Sequence, residues 1–304
     1  MAELRFGRYS FEISNEDKVL FPKSGITKGE LIDYYQQIAD IMVPYVKNRA
    51  ISMVRYPNGI DHEGFFQKDA GSYFPAWIKT FPLKKQDGGI TNYVVINNNA
   101  TLVYLANQAC ITPHIWLSRI DKINLPDRLI FDLDPSENDF SNVQKAALIL
   151  KEVFAKFNIT TFVMTTGQAG LHVVIPLKRK YDFDWVRNFA QDVGRYVIRL
   201  YPELFTLEIR KEKRGRRIFL DTLRNAFGQT GVAPYAVRPK ENAPVAAPLH
   251  WNEVSDPTWR SNKYTIRTIF KRIAKIGDPW EDIEKHAVLL TSARKELDVW
   301  LSTD

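Results

Sequence analysis

The chain has 304 residues, 45% of them apolar and 25% charged, with 42 Lys+Arg against 35 Asp+Glu for a formal charge of +7. These proportions exclude a disordered or collagenous chain, and the single Cys110 excludes an internal disulfide or a cysteine-built zinc site. No apolar run is long enough for a membrane span and the N-terminus has no apolar signal region, so the expectation is a soluble cytoplasmic protein with no membrane partner; its basic balance favours a polyanion.

Thr27 and Glu30 form a capping-box pattern. It opens a helix in which Leu31, Tyr34, Tyr35 and Ile38 share one face, and Pro44 is expected to stop or kink it. Ile51 to Tyr56 reads as a strand, Pro57-Asn58-Gly59 as a turn, and the polar stretch from Lys84 to Thr91 as an exposed hairpin tip. Arg128 to Asp134 is an apolar strand ending in acids, followed by an amphipathic helix from Val143 to Phe157. Strands from Thr161 to Thr165 and Leu171 to Pro176 flank a glycine-containing turn. A helix from Trp185 to Tyr201 and a short strand from Arg217 to Asp221 follow. Pro234 to Pro248, rich in Pro and Ala, is expected to run extended over the surface, and helices from Ile266 to Ile276 and Trp280 to Leu301 close the chain. No repeat or linker marks a boundary, so residues 1–304 read as one mixed α/β (α+β) unit with room for two lobes.

The sharpest chemical feature is Phe131-Asp132-Leu133-Asp134-Pro135. In a strand, Asp132 and Asp134 share one face about 7 Å apart, while Leu133 turns to the other. Two such carboxylates repel unless a cation sits between them, and oxygen ligands suit Mg²⁺ or Mn²⁺. The plain alternative is a pair of solvated acids at a strand end. Asp221 ends a second apolar strand, Ile218-Phe219-Leu220, and three carboxylates at strand ends suffice for two divalent ions of the kind that orient a triphosphate.

Between these acids lies Thr165-Thr166-Gly167-Gln168-Ala169-Gly170-Leu171-His172. Its glycines let backbone N–H groups approach an anion, Thr166 adds a hydroxyl, and His172 can donate to a phosphate oxygen. Six cations stand among residues 210–217, and Arg224 and Arg238 follow, with planar forks suited to phosphate oxygens. Phe65 and Phe66, among basic residues, are either core side chains or platforms for nucleic-acid bases. Lys85-Gln86-Asp87-Gly88 matches the K-x-D-G pattern of nucleotide-dependent ligases, but four residues in a polar loop match by chance, and no other ligase motif accompanies them.

The ordered set DLDP, T-G-x-x-G-x-H and FLDTLRN followed by APYAVR resembles the primase-polymerase domain of bacterial ligase D, of the archaeo-eukaryotic primase superfamily. Asp17 to Pro22, Gly25 to Lys28, Arg55 to Gly59, Gly64 to Lys68 and Thr112 to Trp116 extend the likeness over about residues 10–290. The resemblance implies a two-lobed primase-like fold and template-directed addition of nucleotides, with ribonucleotides and Mn²⁺ preferred. It also implies a role in end-joining repair beside the Ku protein, in the cytoplasm at the nucleoid. Carried over, Asp132, Asp134 and Asp221 would be the catalytic metal ligands for two ions, Mn²⁺ or Mg²⁺. Thr166, Gly167 and His172 would hold the triphosphate of an NTP or dNTP, with His114, Arg214, Arg224 and Arg238 lining the nucleotide site and Arg55 near it. Phe65 and Phe66 would stack on template DNA, and Lys18 and Lys28 would hold the 5′-phosphate at a gap or end.

Two departures stand out. Ala169 replaces a Lys or Arg common in the family, and Arg224 is not universal there. The sequence carries no ligase or phosphoesterase region, so the expectation is a stand-alone polymerase working with a separate DNA ligase. The rival readings are another metal-dependent phosphoryl-transfer enzyme, such as a nuclease, and a non-catalytic DNA-end-binding module.

Overall fold

A computed structural model describes residues 3–85, 87–137 and 140–303. Within the described residues the chain forms two six-stranded sheets, each covered by helices, together with two small hairpins. In the first sheet the strands run in the order Thr230–Val232, Cys110–Trp116, Ala50–Arg55, Ile90–Val95, Thr80–Lys84, and Phe65–Gln67 adds to the far end of Ala50–Arg55. Helices Lys28–Val46 and Asn99–Asn107 pack their apolar faces on it. In the second sheet the order is Phe205–Thr206, Ile218–Asp221, Arg128–Asp134, Leu171–Pro176, Phe162–Thr165, Pro248–Leu249. Its helices are Phe140–Lys156, Phe183–Leu200 and Thr291–Ser302.

The first helix starts as its sequence dictates. Thr27 Oγ1 accepts from the Glu30 amide at 3.2 Å, and Glu30 Oε2 accepts from the Thr27 amide at 3.0 Å. Leu31, Tyr34, Tyr35 and Ile38 are all buried. Pro44 does not end the helix, which runs through Val46; it falls in the last turn, where only one backbone bond is lost, and the Lys47 amide still reaches Val43 O at 2.9 Å.

Strand alternation in the second sheet positions everything that follows. Leu129, Phe131 and Leu133, with Val173 and Ile175 beside them, point into the core beneath the helices. Ile130 and Val174 point the opposite way, into the core of the first lobe. Asp132 and His172 share that second parity, so they open toward the seam between the lobes. A buried ion pair ties the lobes together: Arg49 forks onto Asp127 at 2.6 and 2.7 Å, and Arg119 adds a bond to Asp127 at 2.9 Å.

Two expectations need correction. The two arms of the segment from Pro234 to Pro248 are interior rather than superficial, with only the bend around Lys240 and Asn242 exposed: Tyr235, Ala236, Val237, Val245, Ala246 and Ala247 have no exposed surface. Its small side chains let the backbone thread between helix Lys28–Val46 and strand Phe162–Thr165. There Val237 N donates to the Tyr35 hydroxyl at 3.1 Å and Ala247 N to Thr165 Oγ1 at 2.9 Å. The closing segment is also not one helix. A 3₁₀ turn at Ile283–His286 leads to Val288, which exchanges backbone bonds with Pro176 and Lys178 before helix Thr291–Ser302 begins. The Lys84-to-Thr91 tip does join strands Thr80–Lys84 and Ile90–Val95; Gln86 of its K-x-D-G pattern lies outside the described residues. Among the described residues no helix is long and apolar enough to cross a membrane.

Candidate active site

The antiparallel register brings Asp132 opposite His172 on one side and opposite Asp221 on the other. His172 Nε2 lies 3.3 Å from Asp132 Oδ1, an electrostatic contact without hydrogen-bond geometry, and Asp132 Oδ1 is buried with no hydrogen-bond partner. Like charges directly opposed across a ladder are destabilising. Arg224 offsets them here: its Nε is 3.3 Å from Asp132 Oδ2 and 3.4 Å from Asp221 Oδ2. Burial pushes the Asp132 carboxyl upward, but His172 and Arg224 together outweigh it and hold it below the usual range. Asp134 makes no ion pair among the described residues; burial, with Asp132 adding repulsion, pushes its carboxyl up to about 6. Burial raises Asp221 as well. Among the described residues, no group of three His, Cys, Asp or Glu side chains is drawn together tightly enough to enclose a metal ion.

The turn between the two middle strands needs both of its glycines. Gly167 has φ +67°, and a side chain there would meet Arg238 Cγ at 2.6 Å. A side chain at Gly170 would stand 2.4 Å from the carbonyl oxygen of Leu133, the residue between the two aspartates. The Thr166 hydroxyl accepts from the Gly170 amide at 3.1 Å, so it stitches the turn itself. Thr166, Gln168 and Ala169 form one wall of a cavity. Asp132, Asp134, His172 and Arg224 form another, and Arg238, His114 and strand Thr230–Val232 close it. Burial, with Arg238 and Arg224 adding repulsion, pushes the His114 imidazole down to about 3, so it is neutral at physiological pH.

A family model for the LigD primase-polymerase domain matches residues 27–280. The chain belongs to that family. It is therefore a nucleotidyltransferase of the primase-polymerase type. It is 34% identical over 277 residues to the bifunctional non-homologous end joining protein LigD of Bacillus subtilis, covering 90% of this chain and 44% of that protein. It is 31% identical over 284 residues to the multifunctional LigD of Mycolicibacterium smegmatis, covering 91% of this chain and 37% of that one. The chain thus spans less than half the length of these relatives. Its fold matches the polymerase domain of Mycobacterium tuberculosis ligase D, solved in complex with DNA, with a TM-score of 0.85 and 29% identity. That match covers 91% of this chain and 99% of the other.

In this LigD-family fold the remaining sequence-predicted residues fall into three places. Lys18 and Lys28 are neighbours, linked by the Lys28 amide donating to Lys18 O at 2.8 Å. Lys18 Nζ donates to Asn58 Oδ1 at 2.9 Å, and Lys28 Nζ is buried against Ser14 O and Oγ. Phe65 and Phe66 are exposed on their strand rather than core residues, and Phe66 meets His114 edge-on at 5.8 Å. Arg55 and Arg214 are not brought into the cavity. Arg55 lies under Phe65 at 5.5 Å and donates to Gln67 Oε1 and the Tyr73 hydroxyl at 2.6 and 2.8 Å. Arg214 stacks on Phe219 at 4.0 Å and donates to the carbonyls of Glu208 and Ile209. Sequence reasoning missed Gln168 and strand Thr230–Val232 as cavity walls. Three residues around a glycine carry no strand periodicity that could have revealed that wall.

Proposed function

We propose that this chain is a template-directed polymerase that extends primer 3′ ends and fills short gaps at DNA breaks in non-homologous end joining. The observation that carries the reading is one cavity bounded by Asp132, Asp134, His172, a Thr-Gly turn and Arg238, with Asp221 paired beside Asp132. The substrate is a nucleoside triphosphate, and DNA carrying a 5′-phosphorylated gap or end is the partner. Ku and a separate DNA ligase are the further partners that this reading adds.

The donor set fits a divalent ion. Among the described residues Asp132 Oδ1 is an orphaned buried acceptor and Asp134 is in no ion pair, and all three acids offer the oxygen ligands that Mg²⁺ and Mn²⁺ take. Asp132, Asp134 and Asp221 would hold two such ions, which when bound supply neutralising charge along the triphosphate.

The protein's own groups supply the rest. The Thr166–Gly170 turn and His172 bind triphosphate oxygens, and the Arg238 guanidinium, half-buried beside them, forks onto phosphate. Neutral His114 and strand Thr230–Val232 orient the sugar. Phe66, held against His114, and Phe65, held by Arg55, stack on the template. With the two reactants aligned, the primer 3′-hydroxyl attacks the α-phosphorus in line; the new P–O bond forms as the bond from the α-phosphorus to the α–β bridging oxygen breaks, pyrophosphate leaves, and the hydroxyl proton is released to solvent. Lys18 and Lys28 receive the 5′-phosphate across the gap. Incubating a labelled primer on a longer template with triphosphates and Mn²⁺ tests the reading. A polymerase lengthens the primer, a nuclease shortens it, and an end-binding module leaves it unchanged; either of the last two results overturns the proposal.

A further inference from the structure

We infer that Arg224 is an internal counter-cation that competes with a divalent ion for the Asp132–Asp221 pair and passes to the triphosphate when the ion binds, so that ion and nucleotide load cooperatively. The inference rests on the polymerase reading above and goes beyond it, because it concerns the order in which the site fills.

Asp132 and Asp221 are register partners on adjacent strands, and Arg224 is the cation between them. Its backbone is pinned. The neighbouring Asn225 side chain accepts from Ile130 N at 2.9 Å and donates to Ile130 O at 2.8 Å and Thr222 O at 3.0 Å. On its other side, the Leu223 amide donates to Asp221 Oδ1 at 2.7 Å. The Arg224 side chain, in contrast, is loosely engaged. Its closest approaches to both acids, at 3.3 and 3.4 Å, run through Nε rather than the two-toothed fork that makes arginine–carboxylate pairs strong, and the side chain is 38% exposed. It also lines the same cavity as Thr166, His172 and Arg238. A dication shared by Asp132 and Asp221 and a guanidinium at Nε distance from both repel each other, so only one can hold the pair. A side chain displaced from the acids remains in the cavity, where phosphate oxygens accept its planar fork. Nucleotide then draws Arg224 off the carboxylates and tightens the ion, and the ion tightens nucleotide by the same factor.

The test is equilibrium Mn²⁺ binding, read by the loss of the free-ion EPR signal, with and without a triphosphate analogue that cannot be cleaved. It compares the wild type with Arg224→Gln, Arg224→Lys and Asp132→Asn, each checked by thermal melting. Without nucleotide, Arg224→Gln should bind Mn²⁺ tighter than the wild type by about 5- to 100-fold, and, once Mn²⁺ taken up by the free analogue is subtracted, the analogue should tighten Mn²⁺ more in the wild type than in this variant. Arg224→Lys, which keeps the charge, should keep weak ion binding. Equal Mn²⁺ affinity in Arg224→Gln and wild type, or Arg224→Lys binding as tightly as Arg224→Gln, overturns the inference while leaving the polymerase reading intact. If Asp132→Asn bound Mn²⁺ as well as the wild type, the assignment of the acids, and the inference with it, would fall.

Discussion

Replacing Gly170 with alanine is the most sensitive single-atom probe of the site. The added Cβ would lie 2.4 Å from Leu133 O and 3.5 Å from Asp134 Oδ1, whereas an ordinary contact starts at 3.4 Å. Relief therefore needs a displacement of 3.4 − 2.4 = 1.0 Å, shared between the turn and the peptide linking Leu133 to Asp134. Moving the turn alone would disturb the paired contacts between Thr166 and Gly170 at 3.1 Å. The strain is that of overpacking, about 1–3 kcal/mol. At an unfolding entropy of about 2.1 cal/mol/K per residue, that lowers Tm by roughly 2–5 °C for a chain of this length. The same displacement moves a carboxylate or the triphosphate turn by up to about 1 Å, and misplacement of that size costs on the order of 10²-fold in rate. Gly170→Ala should therefore melt slightly below wild type yet lose about 99% of single-turnover primer extension. Gly89→Ala, on an exposed hairpin with no contact under 3.4 Å, should change neither. Wild-type extension by folded Gly170→Ala would refute the claim that this turn and the aspartate strand form one rigid site.

Three other outcomes follow from the same geometry. Arg49→Ala leaves Asp127 buried with Arg119 as its one remaining side-chain partner among the described residues; breaking such a pair costs about 3–5 kcal/mol, so Tm should fall by roughly 5–8 °C in differential scanning calorimetry, and a fall under 1 °C would show that the pair is not what joins the lobes. Burial, with Lys18 adding repulsion, pushes Lys28 from its usual 10.5 down to about 8. Folding thus disfavours its charged form, so this penalty is present in full below pH 8 and fades as pH rises from 8 toward 10.5. Urea titrations should show wild type gaining stability relative to Lys28→Met across that window, and a pH-independent difference would contradict the burial argument. Finally, wild type should fill a gap bearing a 5′-phosphate faster than the same gap with a 5′-hydroxyl, and the Lys18→Ala, Lys28→Ala double variant should lose that difference while still extending simple primer-templates; equal wild-type rates on both gaps would remove the basis for the assignment.

The parts of the fold legible in the sequence are those where one local pattern decides the structure. The Thr27–Glu30 box starts its helix because both capping bonds are local. The alternation of Leu129, Phe131 and Leu133 with Ile130 and Asp132 turns the acids toward the seam whatever the rest of the chain does. The pairing of Asp132 with Asp221 rests on a register between strands some 90 residues apart, which no local pattern encodes, although ordered family motifs pointed to it. The Pro234–Pro248 segment misled because Pro and Ala suit both an exposed extended chain and a narrow interior passage; only the neighbouring helix and turn decide between them. Arg55 and Arg214 stand outside the cavity for a related reason. A cation near a motif is drawn to whichever ring or carbonyl the fold supplies, here Phe65 and Phe219.

The most direct test of the central claim is Asp134→Ala on a gapped duplex with Mn²⁺ and triphosphates, with DNA affinity measured in parallel. The account predicts that wild type lengthens the primer, that the variant adds no nucleotide, and that both bind the duplex with similar affinity. Extension by Asp134→Ala at the wild-type rate would contradict it.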